Sequence, residues 1–221
     1  MKHLNAEKYN LAWFKLAECV SRKEKERALG VYRLLSHSLD NDALAVQLSG
    51  DLFLCFDDHQ KAIEKYLQAA ELYKKNNQFI ESIAVYEHII VLQPGTERHV
   101  FDLCQLYVDS DMSFKVVDHV DRLIKKKSFD VASKIIKKMD VSLKPQEVAK
   151  ANQDLLFALL KHEVVPKEKV MQHIEKIIDG WSEVADDYML QDFLHQLRTL
   201  HKDFYEHAVE YLEKDTFTAS M

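Results

Sequence analysis

The sequence predicts an all-α protein, and two observations carry that prediction. Apolar residues recur three and four positions apart almost throughout, which is the period of a helix with one buried face and not the alternation of a strand. One such run comprises Ile63, Tyr66, Leu67, Ala70 and Tyr73. Glycine occurs 4 times and proline 3 times in 221 residues, where average usage would give about 15 and about 11. The tight turns of β-hairpins and nucleotide-binding loops are therefore scarce.

Breaks in this periodicity divide the chain into segments of about 10 to 17 residues, a usual helix length. They fall near residues 21–25, 39–42, 57–59, 76–78, 94–96, 109–113, 127–129, 140–145, 165–167 and 180–182. Asp42, Asn77 and Ser113 can accept hydrogen bonds from the free amides of a helix start, and Pro166 suits a first turn. The pair Pro94-Gly95 is the firmest stop, because proline cannot continue the helical hydrogen-bond ladder.

A longer period relates the predicted helices. Trp13, Val46 and Ile80 are 33 and 34 residues apart, and the residues around them match in register. The first copy comprises Trp13, Leu16, Ala17, Ala28, Tyr32 and Leu35, and the second Gly50, Phe53, Ala62, Tyr66 and Ala69. The third has Ile80, Ile83 and Ala84 but a weak match in its second helix. Continuing the register places Phe114, Val148 and Trp181 at the same position, with Trp181, Val184, Ala185 and Tyr188 predicted on one first helix.

On these residues, the stretch from Trp13 to Pro94 resembles the tetratricopeptide repeats, whose general form is W-x-x-L-G-x-x-Y, then A-x-x-x-F, then P. The resemblance implies a right-handed superhelix of stacked antiparallel helix pairs. We expect about three such pairs in residues 1–110, and further degenerate repeats or a capping helical bundle in residues 111–215. Residues 216–221 are expected to form a loose tail.

Composition predicts a soluble, cytoplasmic chain. Hydrophobic residues make up 47% and charged residues 30%, which excludes both a disordered chain and a membrane-embedded one. The longest apolar run, Leu155 to Leu160, is far shorter than the roughly 18 residues that a spanning helix needs. The N-terminus carries neither the apolar core of a signal peptide nor the acid-free pattern of a transit peptide.

No pattern in the sequence predicts an enzyme, a cofactor or a metal site. Of the 11 histidines no two stand four residues apart, and His162-Glu163 lacks the second histidine of a zinc protease. No nucleophile elbow or phosphate-binding loop occurs. The three cysteines are widely spaced within apolar helical patterns, so we interpret them as small core residues and not as a disulfide framework. They are Cys19, Cys55 and Cys104.

We therefore expect a non-catalytic adaptor or scaffold that binds a protein or peptide partner. By similarity to tetratricopeptide arrays, the binding groove is the concave face of the first helix of each pair. The exposed positions there would be Phe14, Glu18, Gln47, Asp51, Glu81, Val85 and His88. The chaperone-tail clamp of some family members needs lysine, asparagine and arginine at positions that Phe14, Glu18, Gln47, Gln78 and Ser82 occupy here, which argues against that ligand.

A basic block offers an alternative function. Residues 113–145 hold nine basic and four acidic side chains, whereas the whole chain has a net charge of −6. The block contains Lys125, Lys126, Lys127, Lys134, Lys137 and Lys138. These lysines suit an acidic partner or an anionic membrane surface, as in a chaperone-like or vesicle-trafficking component.

Nucleic acid and a second copy of the chain are two further partners that the sequence bears on. The negative net charge and the single arginine of the block argue against nucleic acid. Open repeat stacks end in apolar faces, so self-association is a further alternative.

Overall fold

The computed structural model describes the backbone of residues 6–94, 96–162 and 165–218, and the side chains of residues 10–94, 96–162 and 165–213. Within these ranges the chain forms twelve helices and no strand, which confirms the all-α prediction. The helices are α1 (Ala6–Ser21), α2 (Lys25–Ser36), α3 (Asp42–Cys55), α4 (His59–Lys75), α5 (Phe79–Leu92), α6 (Glu97–Asp109), α7 (Phe114–Lys125), α8 (Phe129–Met139), α9 (Pro145–His162), α10 (Lys167–Val184), α11 (Asp187–Leu200) and α12 (Lys202–Thr218).

The helices fall into two compact units, which are described separately below. Unit 1 is Met1–Leu106 and unit 2 is Tyr107–Met221, so the division lies inside α6. The sequence had placed the corresponding boundary after residue 110, in the turn that follows α6.

One type of turn recurs between helices in the described part of the chain. In six turns a residue other than glycine adopts the left-handed conformation: Lys23, Asp57, Asn77, Asp111, Lys127 and Ala185. At the second of these, the amide of Asp57 donates to the Leu54 carbonyl at 3.0 Å and that of Asp58 to the Phe53 carbonyl at 2.9 Å. The other five turns repeat this pair of bonds, which closes the carbonyls of the last helical turn in the Schellman manner.

In unit 1, consecutive helices pack against each other from α1 to α5. The approach of α3 to α4 depends on Gly50, because a Cβ there would lie 2.8 Å from the ring of Tyr66. Two hydrogen bonds link the same helices: Tyr73 reaches Gln47 at 2.8 Å and Tyr66 reaches Asp51 at 2.6 Å. The later residue of α3 meets the earlier residue of α4, so the two helices run antiparallel.

In unit 2, α7 packs on α8 and α9, α9 on α10, and α10, α11 and α12 on one another. The indole Nε1 of Trp181 donates to Gln153 Oε1 at 3.0 Å and joins α10 to α9 inside the core. Phe193 and Leu197 of α11 and Ala208 of α12 complete this core and are fully buried.

Alternate helices also contact each other. In unit 1, Lys25 Nζ lies 2.9 Å from Asp58 Oδ2, joining the N-terminal ends of α2 and α4. In unit 2, His207 Nε2 lies 3.2 Å from Glu175 Oε1, and Tyr211 donates to Asp179 Oδ1 at 2.9 Å. Both contacts of α12 with α10 join residues 32 positions apart, so these two helices run parallel.

Three expectations about helix boundaries were wrong. No break occurs at residues 180–182, because Gly180 lies against Ala149 and lets α10 continue to Val184. The break comes instead at Ala185 and Asp186, so Trp181 and Tyr188 lie on different helices and not on one first helix. The helix α12 extends to Thr218, so residues 216–218 are not a loose tail; residues 219–221 lie outside the described residues.

The cysteine prediction holds at two of three positions. All three thiols are free; Cys19 and Cys104 are buried as expected. Cys55, the last residue of α3, is exposed. It was therefore wrong to interpret Cys55 as a core residue.

Candidate functional site

The predicted groove residues lie on α1, α3 and α5, which we call the first helices of unit 1. Phe14 is 74% exposed, and Glu18, Glu81 and His88 are also exposed. Val85 is only 3% exposed, so the prediction that it faces a partner was wrong. Its place on α5 makes it part of the buried apolar stripe of that helix.

Gln47 and Asp51 are partly buried, and both are used within the fold. Their side chains accept the hydroxyl bonds of Tyr73 and Tyr66 from α4. His88 lies edge-on to the Tyr66 ring, with centroids 5.0 Å apart. Burial and the Asp51 carboxylate raise the pKa of Tyr66, so the phenol stays protonated and the bond persists at neutral pH. Gln47 and Asp51 thus hold α3 against α4.

An apolar cavity of about 230 Å³ opens beside these residues, and we call it the groove pocket. It is lined by Trp13, Leu16, Ala17, Val20, Tyr32, Leu48, Asp51, Leu52 and Cys55. Ala17 and Cys55 are themselves exposed, so they belong to its mouth. Phe14 lies beside both Ala17 and Glu18 on the surface of α1, because residues three and four apart on a helix are neighbours.

In unit 1, the first helices and the helices that follow them, α2 and α4, carry opposite net charges. The first helices carry two basic and six acidic side chains, a net charge of −4. The helices α2 and α4 carry seven basic and three acidic side chains, a net charge of +4. Eight of the nine residues that line the groove pocket belong to α1 and α3, two helices of the acidic set, and Tyr32 belongs to α2.

The predicted basic block extends over two helices and the turn between them. Lys125, Lys126 and Lys127 lie at the end of α7 and in the turn that follows, where they adjoin the start of α8. Lys137 and Lys138 lie in the last turn of α8, about 13 Å further along that helix at 1.5 Å per residue. Lys134 lies between the two groups.

Local partners also account for part of the block's charge. Lys125 Nζ is 2.6 Å from Asp121 Oδ2, and this hydrogen bond raises the pKa of Lys125. Basic side chains in the last turns of α7 and α8 also complement the negative ends of those helices.

A second cavity, of about 360 Å³, lies in unit 1 on the face formed by α4, α5 and α6, and we call it the polar pocket. It is lined by Leu67, Glu71, Lys74, Tyr86, Arg98, His99, Asp102, Gln105 and Leu106. Sequence reasoning missed this pocket. Its only signals are charged pairs three or four apart, such as Arg98 and Asp102, and these are common on exposed helix faces.

Within the described residues no group of three or more histidine, cysteine or acidic side chains is arranged to hold a metal ion. None of the helices that the structure describes combines the length and the apolar character needed to cross a bilayer. No protein-family model and no curated protein matches the sequence.

Proposed function

We propose that this chain is a tetratricopeptide-like protein-binding module that holds a basic, amphipathic segment of a partner along its first helices. The observation that supports this proposal most is the groove pocket, an apolar cavity lined mainly by α1 and α3, which belong to the acidic set of helices. In this proposal one apolar side chain of the partner fills the pocket. Neighbouring lysines or arginines lie against Glu81 and against Glu18, whose ion pair with Arg22 is exposed to solvent.

The stacking of helix pairs supports the repeat architecture. The 33- and 34-residue register coincides with contacts between equivalent positions one pair apart, such as Lys25 with Asp58. The capping residues of α3 and α5 also meet, with Asn41 Nδ2 3.4 Å from Gln78 Oε1. A stack of this kind leaves the first helices in a row, as in the right-handed superhelix of the tetratricopeptide family.

The size of the pocket favours a side chain as its occupant. Its volume of about 230 Å³ lies below the roughly 300 Å³ at which small-molecule sites begin. Burying one leucine or phenylalanine side chain contributes about 1.5–3 kcal/mol. A rim ion pair contributes about 0.2–1 kcal/mol. The pocket would therefore supply most of the affinity, and the acidic rim the preference for basic partners and their association rate.

A designed peptide tests both parts of the proposal. The probe is a fluorescein-labelled helical peptide with leucines three and four apart and lysines elsewhere, titrated into the full chain by fluorescence anisotropy. One comparison peptide replaces every lysine by glutamate, and another replaces every leucine by serine. We expect the leucine-lysine peptide to bind at least tenfold more tightly than either comparison peptide, which corresponds to about 1.4 kcal/mol.

The exposed thiol allows the pocket to be blocked without redesigning the fold. Because Cys19 and Cys104 are buried, N-cyclohexylmaleimide should modify Cys55 selectively at the pocket mouth. We expect the modified protein to lose peptide binding, and Cys55→Ser treated in the same way to keep it. Unchanged affinity after modification of Cys55 would exclude the groove pocket as the site.

A charge reversal tests the acidic rim. Glu18→Lys should weaken binding of the lysine peptide, whereas Glu26→Lys on α2 should not.

A further inference from the structure

The polar pocket differs from the groove pocket in the chemistry of its wall. Its buried residues include Tyr86, His99 and Leu106. Glu71 and Lys74 from α4 and Arg98 from α6 stand around it, each at least partly exposed. Two basic and two acidic side chains line the cavity in all, so its wall has no net charge but carries charges of both signs.

The oppositely charged side chains around the polar pocket form no short ion pair. The nearest pair, Arg98 Nε and Asp102 Oδ2, is 3.9 Å apart, beyond hydrogen-bond distance. Some other ion pairs are much shorter, as at 2.7 Å between Arg22 and Glu18. Lys74 forms no ion pair with any of the described residues. Lys74 and Glu71 are thus outside any ion pair of the described residues, and Arg98 and Asp102 form only a long one, so a ligand that carries both charges could interact with all four side chains.

Two buried polar groups complete the wall. Tyr86 directs its hydroxyl toward Glu71 Oε1, 3.5 Å away, and burial raises the pKa of this phenol, which therefore remains a hydrogen-bond donor. Burial also lowers the pKa of His99, so its ring is neutral at pH 7. His99 Nδ1 is enclosed without a partner. Nε2 is the nitrogen through which this ring can bond a ligand.

We propose that the polar pocket is a binding site for a small zwitterion that carries an ammonium and a carboxylate group, as a free α-amino acid does. Glu71 and Asp102 attract the ammonium group, Lys74 and Arg98 attract the carboxylate, and Leu67 and Leu106 contact an apolar side chain. The cavity volume lies within the range of about 300–1,000 Å³ that is typical of small-molecule sites. This site is separate from the groove pocket and does not depend on the peptide-binding proposal.

The test uses the ¹⁵N-labelled full chain, titrated separately with each of the twenty free L-amino acids by NMR. We expect at least one of them to shift the amides of Tyr86, His99 and Asp102 with a Kd of about 1 mM or lower. The N-acetyl form and the amide form of that amino acid each lack one charge. Each should bind roughly tenfold more weakly, since a hydrogen bond to a charged group is lost.

Substitutions at the rim assign the two charges. Lys74→Gln should weaken the free amino acid several-fold but leave its amide unaffected, and Glu71→Gln should do the same with respect to the N-acetyl form. Lys75→Gln, on the neighbouring residue of α4 outside the pocket, is the matched control, and thermal melting verifies that all three variants fold. If no amino acid shifts these amides, or if the neutral N-acetyl amide binds as tightly as the free form, the zwitterion site is refuted.

Discussion

Ala185 ends α10 in the left-handed conformation, with φ of 54°. A Cβ in this conformation approaches the following carbonyl, which costs roughly 1–2 kcal/mol per residue. Lysine, aspartate and alanine occupy such positions here although the chain has four glycines. The Schellman bonds evidently hold these turns in place without the usual glycine.

Ala185→Gly should therefore stabilise the protein. Glycine adopts this conformation without steric cost but loses more entropy on folding, so we expect a net gain of about 0.5–1 kcal/mol in the free energy of unfolding. Urea denaturation followed by circular dichroism measures it. Asn77→Gly, at the equivalent position of the α4–α5 turn, is the matched control and should gain less, because asparagine tolerates this conformation better than alanine. Equal gains at both sites would contradict the explanation.

Two histidines make stability depend on pH. Burial lowers the pKa of His99, and burial together with the nearby Lys176 lowers the pKa of His173. The unfolded chain, in which a histidine has its ordinary pKa of about 6.5, then binds more protons than the folded chain as the pH falls below that value. Stability should be complete above about pH 6.5 and decrease from there toward the folded-state pKa values.

Denaturation midpoints measured between about pH 7.5 and about pH 5 on the His99→Gln,His173→Gln variant test this expectation. The double variant should lose less stability over that interval than the wild type, whatever its stability at the upper end. The exposed His195→Gln is the control, and it should keep the wild-type slope. A double variant with an undiminished slope would show that other groups carry the effect.

At the scale of the helix, two glycines should respond oppositely to the same substitution. A Cβ added at Gly30 in α2 would have no neighbouring atom within 4 Å, whereas a Cβ at Gly50 would meet the Tyr66 ring at 2.8 Å. Gly30→Ala should stabilise the protein by about 0.5–1 kcal/mol through helix propensity. Gly50→Ala should destabilise it by about 1–3 kcal/mol, because α3 and α4 must separate or Tyr66 must move. Chemical denaturation of the two variants measures both effects.

Most helix boundaries could be predicted from the sequence because they depend on local chemistry. Pro94 acts within a few residues, and so do the caps, although the capping residues predicted at Asp42, Asn77 and Ser113 were wrong. Asn41 and Asp58 accept the capping bonds instead, from the amides of Leu44 and Lys61. The break predicted at residues 180–182 was wrong because a glycine such as Gly180, taken alone, indicates the end of a helix. Its role depends on Ala149, which lies 31 positions earlier in the chain and packs against it.

The candidate sites were less predictable than the helices. Register alone placed Phe14 and Glu18 on an exposed face, but it could not show that Val85 is buried or that Asp51 is bonded to Tyr66. The exposure of a side chain on a first helix depends on the size of the side chains that pack beside it. The polar pocket joins residues of three helices, and no local pattern reveals that arrangement.

At the scale of the whole chain, each of the two units encloses its own buried apolar residues. In unit 2 the core extends from α9 and α10 to the last two helices, through Phe193 and Leu197 of α11 and Ala208 of α12. Trp181 at the end of α10 is buried in the same cluster. The last two helices are thus part of the core of unit 2, and they also cover residues of α10 such as Ile174 and Ile178.

Removing residues 183–221 should therefore expose the core of unit 2. We expect the truncated chain to melt at lower temperature, to bind the dye ANS and to be less soluble, because burial of each large apolar side chain contributes about 1.5–3 kcal/mol. Two point variants on α11 compare the loss of a buried leucine with the loss of an exposed one. Leu197→Ala, at a fully buried position, should cost about 2–5 kcal/mol. Leu200→Ala, where leucine is 60% exposed, should cost less than about 0.5 kcal/mol. Unchanged melting of the truncated chain would mean that α9 and α10 are stable without α11 and α12, and that the last helices do not cap this core.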